Sequence, residues 1–318
     1  MNICLTGGTG FIGSMLCTRL QHSGAGVRIV SRRALPERSG MRLFQADLAD
    51  PASSLHGLFD DVDVMLHCAG EIREPALMQA LHVTGLQRLL AEAQAHFLRT
   101  GRPLHWVQLS SVGAYGPASE SADTPRQITE SSPTAAVGIY EVSKTRADQL
   151  LIDFAASQPL LSITILRPSI VISRDMPNQS VRSLVRFIKK GWFFYIGTAA
   201  TVATYIHVDD VVEALVLCAT EAGARGEIFN LSNDCLLSEI VVAVAREQGR
   251  RPPTLHLPAW PLRLAVRLLG SLIPMPLSLE RIDALVRRTR YSNQKILQKL
   301  GFSPRHAIPA AVVSLFDD

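Results

Sequence analysis

The sequence predicts an α/β protein, a doubly wound parallel sheet flanked by helices, with a smaller and mostly C-terminal substrate-binding lobe. Three observations carry that prediction. Short apolar runs of strand length alternate with amphipathic helical stretches, the pattern that builds a parallel sheet covered on both faces. The first run, Asn2-Ile3-Cys4-Leu5, enters the glycine-rich turn Thr6-Gly7-Gly8-Thr9-Gly10-Phe11-Ile12-Gly13 and then a helical pattern in which Phe11, Ile12, Met15, Leu16 and Leu20 recur. With 318 residues the chain can bury one large core and still form a second lobe.

Strands are expected at 27–31, 42–45, 64–67, 104–110 and 162–167. Long helices are expected at 74–95 and 138–157, and a basic helix at 178–191. The stretch 117–133 is rich in Ser, Thr, Pro and acids and is expected to be a loop bordering the ligand site. No internal repeat is visible. The expected division places 1–169 and 207–231 in a dinucleotide-binding domain, and 170–206 and 232–318 in the second lobe.

Charged residues make up 19% of the chain and hydrophobic ones 47%, which excludes a disordered polypeptide. A net charge of +4 is too small to argue for nucleic acid. No uncharged apolar run approaches a membrane span. The N-terminal strand leaves no room for a signal peptide, and Cys4, Cys17, Cys68, Cys218 and Cys235 are too scattered for a metal site or a disulfide framework. The expectation is a cytoplasmic protein with structural thiols and no metal.

The chemistry lies between Gly7 and Lys144. Glycines in a strand–turn–helix context let backbone approach a pyrophosphate, and the helix N-terminus offers unpaired N–H groups to the anion. Gly8, Gly10 and Gly13 fit one dinucleotide-binding spacing, and Gly7, Gly10 and Gly13 fit a second. Tyr140 and Lys144 stand four residues apart, so they share one helix face. A tyrosine has a pKa of about 10, and a nearby ammonium with a bound nicotinamide ring favours its phenolate. A shift of about three units needs roughly 4 kcal/mol of differential stabilisation. Ser111, at the end of the strand expected at 104–110, would hold a substrate oxygen and share its proton with Tyr140.

The end of the second strand bears on cofactor choice. Enzymes that prefer NAD often place a carboxylate there for the ribose 2′-hydroxyl, whereas this chain reads Ser31-Arg32-Arg33. An arginine that pairs with a 2′-phosphate contributes roughly 1.5–3 kcal/mol. NADP is the expected cofactor, with NAD possible.

These motifs together resemble the extended short-chain dehydrogenase/reductases, the superfamily of nucleotide-sugar epimerases, reductases and dehydratases. The resemblance runs from Met1 to about Pro304. It rests on Thr6 to Gly13, Ala46-Asp47-Leu48, His67-Cys68-Ala69-Gly70, Leu109 to Gly116, Leu166-Arg167-Pro168, Tyr205 to Val211, and Lys295 to Pro304. It implies a Rossmann fold with Ser111, Tyr140 and Lys144 as catalytic residues. It also implies cofactor contacts from Gly7, Gly10, Phe11, Ile12, Gly13, Asp47, Leu48, Cys68, Ala69, Gly70 and Pro168, beside Tyr140, Lys144, Arg32 and Arg33. Glu71, Ser111, Val112 and Arg182 are the expected substrate contacts. Relatives often form homodimers, here through the helices at 74–95 and 138–157.

Two departures qualify the resemblance. His82 stands where relatives usually carry Asn before Val-x-Gly, and a structural hydrogen-bonding role is expected for it. Ser111-Val112-Gly113 lacks the extra acids of the superfamily's dehydratases, which disfavours water elimination. The first expectation for function is therefore an NADP-dependent reductase of a nucleoside-diphosphate 4-keto-sugar, with Arg182 and Arg186 near the diphosphate. Alternatives are a nucleotide-sugar 4-epimerase that retains NAD, a reductase of an apolar ketone, and a non-catalytic dinucleotide-binding regulator. The apolar alternative draws on 258–285, where Trp260, Leu264, Leu268 and Leu269 could line a pocket. Arg263, Arg267, Arg281, Arg287, Arg288 and Arg290 give that region a basic, amphipathic character compatible with a membrane surface.

Overall fold

The computed structural model describes residues 1–35, 40–118, 123–177, 179–198, 200–269 and 279–316. Seven parallel strands form the central sheet: β1 (Asn2–Thr6), β2 (Gly26–Ser31), β3 (Met41–Gln45), β4 (Val64–His67), β5 (Leu104–Leu109), β6 (Leu161–Pro168) and β7 (Glu227–Leu231). Their order is β3-β2-β1-β4-β5-β6-β7. The order reverses between β1 and β4, so the chain leaves the sheet in opposite directions on either side of that point and opens a crevice beyond the strand ends.

Helices cover both faces. On one side α1 (Phe11–His22) supplies Leu16 and Leu20, and α6 (Val208–Thr220) supplies Val211 and Leu215, all packed against Ile3, Leu5 and Leu66. On the other, α3 (Gly85–Thr100) and α4 (Ile139–Ser157) bring Leu86, Leu89, Ala147 and Leu151 against Met65 and Trp106. A sheet covered twice needs strands that are apolar on both faces, and all six residues of β5 are buried. Burying each such aliphatic side chain stabilises the fold by about 1.5–3 kcal/mol.

The helix expected at 74–95 is more elaborate than its periodicity suggested. It starts as α2 (Pro75–Gln79), widens into a π-helical turn at Ala80–Thr84, and continues as α3 to Thr100. The extra residue of a π turn breaks the 3.6-residue register, which a periodicity argument does not register. Gly101, left-handed at φ 62°, ends the helix. Inside the stretch expected to be a loop at 117–133, Arg126–Ile128 forms a short strand paired in parallel with Thr289–Tyr291. Its partner lies far along the chain, so no local signal marks it; residues 119–122 of that stretch lie outside the described residues.

Ile170–Ile172 pairs with Tyr205–His207 where the chain leaves the sheet and returns. Between and after these, α5 (Ser180–Lys189), α7 (Leu237–Glu247) and α11 (Ile308–Leu315) pack a separate core around Val181, Val185, Ile240, Val244 and Val312. Position 178, where the basic helix was expected to start, lies outside the described residues. The stretch 258–285 contains α8 (Ala259–Leu269) and the start of α9 (Leu279–Val286), and its residues 270–278 lie outside the described residues. After α10 (Gln294–Leu300) the chain comes back onto the sheet, where Ile296 and Phe302 join the core of the first face.

Candidate active site

The turn between β1 and α1 is shaped so that only glycine fits at two positions. Gly7 is left-handed at φ 71°, and a Cβ on it would meet the carbonyl carbon of Cys68 at 2.6 Å. A Cβ on Gly13 would lie 2.0 Å from the Gly7 carbonyl oxygen. The Gly10 N–H donates to that same carbonyl at 2.9 Å. The turn is thus a shallow backbone cradle at the N-terminus of α1, at the switch point of the sheet, which fits the pyrophosphate of a dinucleotide. At its edge Phe11 packs toward the core of the second lobe and Ile12 toward the sheet.

Around this cradle stand the other expected cofactor residues. Arg32 and Arg33 follow β2 with exposed side chains, while Ser31 Oγ holds the turn by accepting from the Arg33 N–H at 3.2 Å. Asp47 accepts from the Ala49 N–H at 2.9 Å, and Leu48 is buried beside it. Cys68 and Ala69 close the end of β4 against Gly7, with Gly70 exposed just beyond. Burial pushes the Cys68 thiol up to about 12, against the pull of the Lys144 ammonium, so it is a neutral packing group. Pro168 ends β6 in register with Leu231.

Ser111 begins a tight 3-10 turn, Val112–Tyr115, and its Oγ accepts from the Gly113 N–H at 3.1 Å. That turn packs on the start of α4: a Cβ on Gly113 would meet Glu141 Cγ at 2.5 Å. Tyr140 and Lys144 lie on the first turns of α4, and Lys144 is buried with its ammonium donating to the Leu109 carbonyl at 2.5 Å. The structure therefore gathers Ser111, Tyr140 and Lys144 at the ends of β4 and β5, beside the cradle. Burial lowers the Lys144 pKa, against the pull of Asp148.

The expected lowering of the Tyr140 pKa depends on a bound nicotinamide as well as on Lys144, and the protein's own groups act in the other direction. Burial, then Glu141 and Asp148, push the Tyr140 phenol up to about 12 rather than down. Its lysine is engaged with a backbone carbonyl, and the carboxylates of its own helix oppose ionisation. Tyr140 rests as a neutral proton donor.

His82, carried by the π turn, is buried and fully used. The Glu71 N–H donates to its Nε2 at 2.9 Å, and its Nδ1 lies 2.8 Å from Ser143 Oγ, which donates on to the Tyr140 carbonyl at 2.8 Å. Its ring meets that of Tyr140 edge-on, 5.7 Å between centroids. Glu71 Oε1 in turn accepts from the N–H groups of Ile72 at 2.8 Å and Arg73 at 2.7 Å. His82 is thus a positioning residue that ties the loop after β4 to the catalytic helix.

Two cavities adjoin these residues. The first, about 720 Å³, is lined by Gly113, Gly138, Glu141, Arg263, Arg267 and Arg287 among others. The second, about 290 Å³, lies in the second lobe between α5 and α9 and is walled by Leu184, Phe187, Trp192, Phe193, Phe194 and Leu285. Arg287 borders both. Val112 is buried beside the first cavity's turn. Arg182 faces neither: its guanidinium stacks on Phe316, 5.2 Å from the ring centroid.

With this geometry in place, the comparisons with known proteins decide the family. The model of the NAD dependent epimerase/dehydratase family matches residues 3–232.

The chain belongs to that family.

It is an NAD(P)-dependent oxidoreductase or epimerase of the extended short-chain dehydrogenase/reductase type. It is 26% identical to the decarboxylating sterol-4-alpha-carboxylate 3-dehydrogenase of Dictyostelium discoideum, over 73% of this chain and 71% of that protein. It is 26% identical to a 2-alkyl-3-oxoalkanoate reductase of Stenotrophomonas maltophilia, with the same coverage of 73% and 71%. The solved structure of MoeE5 in complex with UDP-glucose and NAD superposes with a TM-score of 0.70 at 25% identity, covering 99% of this chain and 97% of that one.

For a member of this family, the residues that sequence reasoning missed lie under the catalytic helix. Asp148 accepts from Ser110 Oγ at 2.7 Å and pairs with Arg167 at 3.1 Å, all three buried. The signal was present, since Tyr140, Lys144 and Asp148 are spaced by four and share one face. Glu141, wedged between Gly113 and Gly138, was also missed, and only the two glycines hinted at it. Elsewhere His207, Asp209 and His306 bring three ligand-type atoms within 4.8 Å of one another. There His207 Nδ1 accepts from the Asp209 N–H as the cap of α6, and the two imidazoles stack.

His67 and His82 generate a pH dependence. Burial first, and the Lys144 ammonium second, lower both pKa values from 6.5 to about 3. Each binds fewer protons folded than unfolded between those values, so stability is lost as pH falls through the window. The slope is at most roughly 1.4 kcal/mol per pH unit for each histidine. Urea unfolding should show stability falling from about pH 7 to about pH 5, with a shallower slope in His82→Gln. Equal slopes in the two proteins would contradict this assignment.

Proposed function

We propose that the chain is an NADP-dependent oxidoreductase that interconverts a ketone and a secondary alcohol on a predominantly apolar substrate. The observation that carries this reading is the second-lobe cavity. Its walls are mostly aliphatic and aromatic, with Arg281 and Arg287 among them. It shares Arg287 with the cavity lined by Gly113 and Glu141, next in sequence to the turn of Ser111 and to Tyr140. Such walls reward an apolar body by about 25 cal/mol for each Å² removed from water. Two of the relatives described above carry names of the same kind, a sterol-carboxylate dehydrogenase and an alkyl-oxoalkanoate reductase.

A dinucleotide held by the cradle of Gly7, Gly10 and Gly13 would supply the hydride chemistry. Everything else falls to this chain. Ser111 orients the carbonyl oxygen, with its own Oγ position set by the Gly113 N–H. In the reductive direction Tyr140 gives its phenolic proton to that oxygen, and solvent later restores it. The buried Lys144 ammonium beside it stabilises the phenolate that remains. His82 and Ser143 hold the backbone of Tyr140 during this exchange. All three catalytic groups are retained, which supports an enzyme over a non-catalytic regulator.

The NADP preference rests on Arg32 and Arg33, which stand exposed at the end of β2 with no acid beside them in sequence. Replacing Arg32 with Asp should weaken NADPH about 10- to 200-fold while affecting NADH far less. Equal loss of both would remove the assignment.

A second reading keeps the nucleoside-diphosphate 4-keto-sugar, with the epimerase that retains NAD as its variant. The UDP-glucose and NAD in the MoeE5 complex favour it, and Arg281 and Arg287 are the cations near an aromatic wall. Against it, Arg182 is turned onto Phe316. The deciding assay follows NADPH oxidation with a sterol 3-ketone, a 2-alkyl-3-oxo acid and a UDP-4-keto-sugar. Turnover of an apolar ketone, lost about 100-fold or more in Tyr140→Phe with cofactor affinity retained, is the expected result. Turnover confined to the keto-sugar would replace this reading by the second.

A further inference from the structure

The helix α8 is apolar on two sides, and only one of them is used. Ala259, Leu262 and Val266 point inward and pack with Ile196, Ile282 and Val286. Trp260, Leu264 and Leu268, spaced by four on the opposite side, are exposed at 70%, 49% and 63%. A soluble surface seldom carries such a stripe without a partner.

The stripe is not isolated. Residues Tyr195–Ile196 run in register with His256–Leu257, immediately before α8. Flanking that pairing is a second exposed group: Leu255 before one strand, and Trp192 before the other, its ring 6.4 Å from that of Phe187 on α5. Trp192 and Phe187 also wall the apolar cavity, so this face reaches part of the cavity's rim. Cations stand around it. The Lys190 ammonium lies 4.8 Å from the centre of the Trp192 ring, and Arg250 lies against Gly191, next to Trp192. Arg267 is exposed on α8 itself, while Asp283 is already paired with Arg263 at 2.8 Å.

We propose that this face docks the protein on an anionic lipid surface, with the cavity mouth turned toward the bilayer. Tryptophan and leucine enter the headgroup boundary, and lysine and arginine meet the lipid phosphates. Each such cation adds attraction to an anionic surface that falls off within a Debye length. A second copy of the chain is the weaker occupant. A two-fold contact sets a patch against itself, which would oppose Lys190, Arg250 and Arg267 to their own copies. The inference deepens the apolar-substrate reading, because a lipophilic ketone could then pass from the bilayer into the cavity without crossing water. No helix among the described residues is long and apolar enough to cross a membrane, so the mode is peripheral.

The test is co-sedimentation of the full chain with vesicles of phosphatidylglycerol and phosphatidylcholine in equal parts, at about 0.1 M salt. Quenching by brominated lipid gives a second readout, since Trp106 is fully buried while Trp192 and Trp260 are exposed. The expected result is binding to the mixed vesicles, quenching, and at least about ten-fold weaker binding to pure phosphatidylcholine. The triple variant Trp260→Ser, Leu264→Ser, Leu268→Ser should also lose about ten-fold, with its melting temperature and its turnover of a water-soluble ketone retained. Failure of the wild type to bind anionic vesicles, or equal binding by the variant, overturns the proposal. So does a wild-type dimer that the triple variant dissolves. Docking is read without any substrate, so its failure leaves the apolar-ketone assay untouched, and failure of that assay leaves docking untouched.

Discussion

Three buried charged side chains, Lys144, Asp148 and Arg167, hold α4 against the strands that carry the candidate site. Asp148 sits between the other two, paired with Arg167 and bonded to Ser110. Lys144 reaches the last carbonyl of β5, and Arg167 lies over the Tyr115 ring, whose hydroxyl donates to Asn230 on β7 at 2.8 Å. One network thus joins α4 to β5, β6 and β7. Removing one member of a buried ion pair typically costs 3–5 kcal/mol, because the partner is left without a counter-charge. The network also sets the chemistry above it, since Asp148 opposes ionisation of Tyr140 and sustains the charge on Lys144.

From this anchor the site divides by polarity. Toward the sheet lies a backbone cradle, where Gly7 and Gly13 permit approaches that any side chain would block. Toward the second lobe lies a mostly apolar cavity that also carries Arg281, Arg287 and hydroxyl groups. Tyr140 stands between them as a neutral acid, oriented through Ser143 and His82 rather than through a charged neighbour. Under the proposed function, the reacting carbon of a substrate lies near the cradle and its apolar body toward the cavity.

Much of this was legible in the sequence because it depends on local pattern. The glycine turn, the four-residue Tyr–Lys spacing and the apolar runs of β1, β4 and β5 each declare their structure within a few residues. Strand 64–67 was read with its observed bounds, and the others to within one residue at either end. What escaped depends on distant partners. The strand at Arg126–Ile128 exists through Thr289–Tyr291, and the π turn at Ala80–Thr84 is formed without a marked residue type. Arg182 was read as a ligand for phosphate because its helix is basic, but the face it occupies is set by packing on Phe316. His82 was read correctly as a hydrogen-bonding residue, although its partners Glu71 and Ser143 were not foreseen.

The central claim is that burial, with Glu141 and Asp148 nearby, holds Tyr140 as a neutral acid, and that under the proposed function a bound dinucleotide eases the loss of its proton. Ultraviolet difference titration of the phenolate, with Tyr140→Phe subtracted, measures this directly with and without saturating NADP. The account predicts that the Tyr140 signal emerges near pH 12 in the empty protein and at least about one unit lower with cofactor bound. The same midpoint in both states, or a midpoint already near neutrality without cofactor, would contradict it.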